Sequence, residues 1–229
     1  MKKSLKKPML SLVAALVAAV AAPVHANIII SEVAPYASGN TVYAADWFEL
    51  TNTGSSAVDI TGWKVDDNSN SFASSLALRG VSSIAAGQSV IFLESNTSGT
   101  NDSSINSGFK SAWFGTNIPA GLVIGNYGGS GIGLSTSGDA VNIYNSGGSL
   151  ITNISFDAST TGKSFDNTAG LVGNVTQLSA VGINGAFTAF NGAEIGSPGL
   201  VSAVPEPESF AMMLVGLGLI GAVARKRQH

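Results

Sequence analysis

The chain has 229 residues, no cysteine, a formal net charge of −3 and only 11% charged side chains. Disulfides and thiolate metal sites are excluded, so stability must come from packing. Residues 27–204 hold four basic side chains (Lys64, Arg79, Lys110, Lys163) against twelve acidic ones, a net charge near −8, which excludes nucleic-acid binding through a basic patch.

Lys2, Lys3, Lys6 and Lys7 precede an apolar run from Met9 to Ala22, and Val24-His25-Ala26 forms a small-x-small site. This predicts a secretory signal peptide, helical across its apolar run, cut after Ala26 to leave Asn27 as the first mature residue. The alternative, an uncleaved anchor, is opposed by Pro23 and by the shortness of the run.

From Asn27 onward, short segments of period two alternate with Gly/Ser/Asn turns, the pattern of an all-β sandwich or barrel. Asn27 to Val33 reads as a β-branched first strand. Asp46 to Asn52 alternates, with Phe48 and Leu50 on one face and Trp47, Glu49 and Thr51 on the other. Val58 and Ile60 share one parity and Trp63 and Val65 the other; a bulge at Thr61-Gly62 would bring all four to one face. Ser89 to Glu94 is a further apolar strand. Ile105 to Phe114 is compatible with a helical turn ending at Gly115, and no longer periodic helix is expected between the termini. Ser95–Ser104 and Gly125–Ser137 read as loops. Asp139 to Tyr144 and Ser149 to Phe156 form a hairpin joined by Asn145-Ser146-Gly147-Gly148.

Both histidines, His25 and His229, lie in the terminal segments, so residues 27–204 have neither His nor Cys. That removes Ser-His-Asp and Cys-His catalysis and nearly every zinc or transition-metal site. Carboxylate chemistry survives: a pair among Glu32, Asp46 and Glu49 about 5–10 Å apart would suit glycoside hydrolysis. The simpler reading makes them strand residues that accept hydrogen bonds. Asp66-Asp67-Asn68-Ser69-Asn70 offers closely spaced oxygens, with Asp66, Asp67, Asn68 and Asn70 as candidate Ca²⁺ ligands. It lacks the Gly at position six and the distal Glu of an EF-hand loop, which favours a plain turn. Trp47, Trp63 and Trp113 are either core or a sugar-stacking platform. Asn96-Thr97-Ser98 and Asn153-Ile154-Ser155 match glycosylation sequons, a pattern that arises by chance in Asn/Ser-rich chains.

The C-terminus has three parts: Val204-Pro205-Glu206-Pro207-Glu208-Ser209, an apolar run from Phe210 to Ala224, and Arg225-Lys226-Arg227-Gln228-His229. The run is 15 residues, about 22 Å of helix at 1.5 Å per residue. A comfortable span needs roughly 20 residues. Gly216, Gly218 and Gly221 weaken the helix further, and the absence of a polar face argues against an ordinary buried amphipathic helix. The expectation is one marginal transmembrane segment, with Arg225, Lys226 and Arg227 as a cytoplasmic stop and residues 27–204 on the far side.

The tail resembles the PEP-CTERM sorting signal, with Pro205, Glu206 and Pro207 as the sorting motif. The resemblance implies recognition and cutting by an exosortase, a membrane-embedded transpeptidase, in a Gram-negative bacterium with an exopolysaccharide or biofilm programme. Residues 27–200 resemble the lamin-tail domain, through Ile30-Ser31-Glu32-Val33, Asp46-Trp47-Phe48-Glu49-Leu50-Thr51-Asn52-Thr53-Gly54 and Val58-Asp59-Ile60-Thr61-Gly62-Trp63-Lys64-Val65. Ile84-Ala85-Ala86-Gly87-Gln88, Asp139-Ala140-Val141-Asn142-Ile143-Tyr144 and Gly196-Ser197-Pro198-Gly199 fit its later blocks. That resemblance implies an immunoglobulin-like β-sandwich used as a structural and interaction module.

The expected organisation is a signal peptide (1–26), a lamin-tail-like domain (27–200), a linker (201–204) and a sorting signal (205–229). The expected protein is exported and non-enzymatic, with no cofactor. It passes through an inner-membrane intermediate facing the periplasm to the cell surface or matrix. Its partners are the exosortase, the inner membrane transiently, and exopolysaccharide or other surface proteins. The alternative is a carbohydrate-binding module for exopolysaccharide.

Overall fold

The computed structural model describes residues 28–200. The signal peptide with its cut after Ala26, the sorting motif Pro205-Glu206-Pro207, the apolar run and the stop at Arg225, Lys226 and Arg227 lie outside the described residues. Among those described, no helix is long and apolar enough to cross a membrane.

Two five-stranded sheets face each other, as the immunoglobulin-like sandwich reading expects. The first contains β1 (Ile28–Ala34), β2 (Trp47–Asn52), β7 (Ser89–Glu94), β8 (Val123–Tyr127) and β11 (Phe165–Asp166), in the order β11-β1-β2-β7-β8. The second contains β4 (Lys64–Asp66), β5 (Leu76–Ala77), β9 (Asp139–Tyr144), β10 (Leu150–Phe156) and β12 (Gly173–Val175), in the order β12-β10-β9-β4-β5. Two small ladders pair β3 (Val58–Asp59) with β6 (Ser83–Ile84), and β13 (Phe187–Thr188) with β14 (Ile195–Gly196).

Strand pleating assigns the core. Phe48 and Leu50 point between the sheets and meet Val90, Phe92, Val141, Ile143 and Ile154. In β1 a register shift between Ile30 and Glu32 changes the parity, so Ile28, Ile30 and Val33 all reach this same core. The Val58–Val65 segment turns a corner instead of bulging within one strand. Trp63 N–H donates to the Ile60 carbonyl at 3.0 Å, and Gly62 takes the positive φ of +74° that this turn needs. The chain passes from the β3–β6 ladder into β4, and Ile60, Trp63 and Val65 are buried in the core with Val58 packed on it.

The outer face of the first sheet is buried as well. It is covered by α1 (Ser103–Phe114), a 12-residue helix, longer than the single turn expected. Asp102 caps it, with Oδ1 accepting from the Ser104 and Ile105 N–H groups at 3.1 Å, and Gly115 ends it. Phe109, Ala112 and Trp113 pack on Trp47, Ile91 and Leu93 as a second apolar cluster. Trp47 meets Phe109 and Trp113 edge-on, with ring centroids 5.7 and 5.8 Å apart.

The expected loop over Gly125–Ser137 begins instead as the end of β8, paired in parallel with β7. Gly125 and Asn126 hide this strand from a β-propensity reading. A Cβ on Gly125 would lie 2.6 Å from the Phe92 ring, and Asn126 is buried by bonds to Leu93, Asn106 and Asp102.

Trp113 bridges α1 to the sheet, so Trp113→Ala is expected to destabilise the domain by about 3–5 kcal/mol. Denaturant unfolding measures this; a loss well under 1 kcal/mol would mean that the helix layer is not part of the cooperative core.

Candidate functional site

The outward face of β2 places Glu49 and Thr51 beside Trp47, and β1 places Ser31 and Glu32 opposite them; Glu32 and Glu49 are register partners. Both carboxyls are 1% exposed. They are covered by the last stretch of the domain, residues 159–200, a strap that adds the edge strands β11 and β12 and then returns over the outer face. Glu32 accepts from the Ser164 hydroxyl, from Ser197 N–H at 2.8 Å and from Ser197 Oγ–H at 3.0 Å. Glu49 accepts from Ser31 Oγ–H at 2.7 Å and from Gly199 N–H at 2.6 Å. Ser164 and Ser179 are joined through their hydroxyls at 2.7 Å, and Thr51 links Ser31 to Ser89.

The third node lies three residues before Ser197 on the same strap. Glu194 Oε1 accepts from Tyr43 OH at 2.5 Å and Tyr36 OH at 3.2 Å. The Tyr43 oxygen in turn accepts from the indole N–H groups of Trp47 at 3.2 Å and Trp113 at 3.4 Å. Trp47 of the sheet and Trp113 of the covering helix are thus tied through one phenol to the strap.

These partners are hydroxyls, indoles and backbone N–H groups, which donate without supplying positive charge. Burial therefore dominates and pushes both facing carboxyls up, Glu32 to about 8 and Glu49 to about 7. Repulsion from Glu49 adds to the rise at Glu32, and the donated hydrogen bonds oppose it. Burial likewise raises Glu194, against the pull of the tyrosine hydroxyls, and lifts Asp46 to about 7.

Gly196 is required by this packing. A Cβ there would lie 2.5 Å from Glu32 Oε1, 2.8 Å from Ser164 Oγ and 2.9 Å from the Trp113 ring.

The residues singled out from sequence fall in several places. Glu32 and Glu49 face each other, but they are sealed beneath Ser197–Gly199 and line no cleft that would admit a glycan. Asp46 stands apart, accepting from Ser38 N–H at 2.7 Å. Asp66 is buried; its oxygens accept from Ser69 Oγ–H, Ser71 N–H and Ser74 Oγ–H, and Asp67 Oδ1 accepts from Ser69 N–H. Asn68 N–H donates to Asp139, and Asn70 accepts from the Tyr144 hydroxyl. This is the bonding of an Asx-type turn. The sugar-stacking platform is overturned, because Trp47, Trp63 and Trp113 are 0%, 7% and 1% exposed.

Sequence reasoning missed Ser164, Ser179, Glu194 and the tyrosine pair. Their one visible signal was a lone carboxylate, Glu194, in a segment otherwise made of Gly, Ala, Asn and apolar residues.

The geometry defines a two-layer β-sandwich domain whose buried carboxyls fasten its own C-terminal strap. The chain belongs to the lamin tail domain family: residues 21–158, more than half of its length, match Lamin Tail Domain. Residues 203–228 match the PEP-CTERM protein-sorting motif. No curated protein gave a significant match to the chain. The strap lies beyond the family match, yet its strands β11 and β12 pair with β1 and β10 of the matched region.

Raised carboxyl pKa values fix the sign of the pH dependence. The folded chain keeps protons that the unfolded chain has released above about pH 4.5. Stability is therefore complete below that pH and lost as pH climbs through about 7 to 8. The double substitution Glu32→Gln and Glu49→Gln should flatten that slope in thermal unfolding across pH 4 to 9; an unchanged slope would reject these groups as its source. Gly196→Ala should cost about 1–3 kcal/mol by overpacking. It should also open the strap to limited proteolysis after residue 160, and a cleavage pattern like the parent's would count against the close packing.

Proposed function

We propose that this chain is an exported, non-enzymatic surface or extracellular-matrix protein, a structural and interaction module sorted through its tail by an exosortase. The single observation that carries this reading is the sorting-motif match at 203–228, on the C-terminal side of the lamin tail match at 21–158. Pro205, Glu206 and Pro207 serve as the recognition element. Phe210 to Ala224 holds the precursor in the inner membrane as a short span. Arg225, Lys226 and Arg227 keep the end cytoplasmic and the domain in the periplasm of a Gram-negative cell.

The placement of the domain's own bonds supports two cuts that spare it. The first strand begins at Ile28, two residues after the expected signal cleavage at Ala26. At the other end, the last residues bonded to a buried carboxyl are Ser197 and Gly199, ahead of the 201–204 linker. A cut near Pro205 takes away none of these bonds. The non-enzymatic reading is supported by the family's structural character and by the sealing of Glu32 and Glu49. The proposed end point at the surface or in a polysaccharide-rich matrix rests on the sorting signal alone.

Deletion of residues 205–229 should abolish membrane retention and processing while leaving the melting temperature of the domain unchanged, and Pro207→Ala should impair processing alone. Mass spectrometry of the mature product, together with cell fractionation, reads both cleavage points. Unaltered processing and location after the deletion would refute the role of the tail.

A further inference from the structure

Exposed apolar side chains gather where the chain leaves the domain. Leu200, 40% exposed, borders Gly185, where an added Cβ would lie 3.7 Å from the leucine side chain. The turn around Gly185 carries Val181 and Ile183, 60% and 50% exposed. It is closed by Gly182 N–H to Ala186 O and Ala186 N–H to Ile183 O, both at 2.8 Å, so its backbone is fixed with these side chains outward. Across the exit, Gly199 abuts Leu122, whose loop presents exposed Ile118. Phe190, 71% exposed, lies against Gly115 at the head of that loop. Single exposed apolar residues need no explanation, but a group of them marks a contact surface.

The length of the segment between domain and tail says what that surface meets. Nine residues separate Leu200 from Phe210, at most about 30 Å of fully extended chain. Pro205 and Pro207 stiffen part of it. We propose that Ile118, Val181, Ile183, Phe190 and Leu200 form a membrane-facing rim that rests in the lipid interface while the tail holds the precursor. This inference rests on the membrane-held intermediate proposed above and adds the face that the domain turns to the bilayer. The attraction is apolar. With a net charge near −8 over residues 27–204, the domain gains nothing from anionic headgroups, so the contact should survive high salt and weaken as the anionic lipid fraction rises.

The absence of cysteine makes the test clean. The full chain, carrying one environment-sensitive dye at Ile183→Cys or at Leu200→Cys, is placed in vesicles of phosphatidylethanolamine and phosphatidylglycerol containing nitroxide-labelled lipid. Leu150→Cys, exposed on the second sheet, is the reference, and Gly216→Cys reports insertion of the tail. The rim predicts several-fold stronger quenching at 183 and 200 than at 150, undiminished by salt. Quenching at 216 with none above reference at 183 and 200 overturns the rim and leaves the membrane-held reading intact. No quenching at 216 overturns that reading, and the rim with it. Protection at 183 and 200 that is blind to nitroxide lipid and appears only when the processing transpeptidase is added would reassign the surface to a protein partner and overturn the lipid assignment.

Discussion

Strand β2 imposes the constraint on which the rest of the structure depends. It lies inside a sheet covered on both faces, so its pleat sends Phe48 and Leu50 into the sandwich and Trp47, Glu49 and Thr51 into a second buried layer. An apolar outer face would need only a helix to cover it. This one alternates aromatic and polar side chains, and the two kinds require different covers. Helix α1 takes Trp47, while the strap takes Glu49 and, beside it, Glu32.

A buried carboxyl without a cation is stable in this setting only if its lone pairs are filled and its proton can be kept. The strap supplies backbone N–H groups and serine hydroxyls at short range, and the raised pKa values keep a proton within the pair at neutral pH. The arrangement also sets register. Ser197 and Gly199 are two residues apart, and their N–H groups reach carboxyls on adjacent strands. A slip of one residue would offer Glu32 or Glu49 the ring nitrogen of Pro198, which has no hydrogen to donate. The polar pair therefore specifies where the strap lies, which an apolar contact of the same area would do poorly.

Local periodicity made the skeleton legible. The strands at Ser89–Glu94 and Asp139–Tyr144, the faces of β2 and the burial of Trp63 follow from alternation and from Gly at turns. Features fixed by distant partners were not legible in this way. β8 is a strand because β7 and Arg79 hydrogen-bond to it, despite a Gly-Asn centre with poor β-propensity. The corner at Gly62 mimics a bulge, since both devices return Trp63 and Val65 to one core. The roles of Glu32 and Glu49 were ambiguous for a deeper reason: a catalytic pair and a fastening pair can share residue type and separation. Only the cover over them tells the two apart, and that cover is supplied by residues more than a hundred positions later.

The same cover explains how a sorting tail can be joined to this domain without burdening it. Just ahead of the exit at Leu200 the chain is held by hydrogen bonds from Ser197 and Gly199 to two buried carboxyls on neighbouring strands. Stripping the strap would also uncover Glu32, Glu49 and the tryptophan–tyrosine network under Glu194, so the end of the chain cannot fray alone at small cost. A domain closed in this way is indifferent to the segment attached behind it. The bonds that close the domain thus stay within residues 28–200, ahead of the sorting-motif match at 203–228.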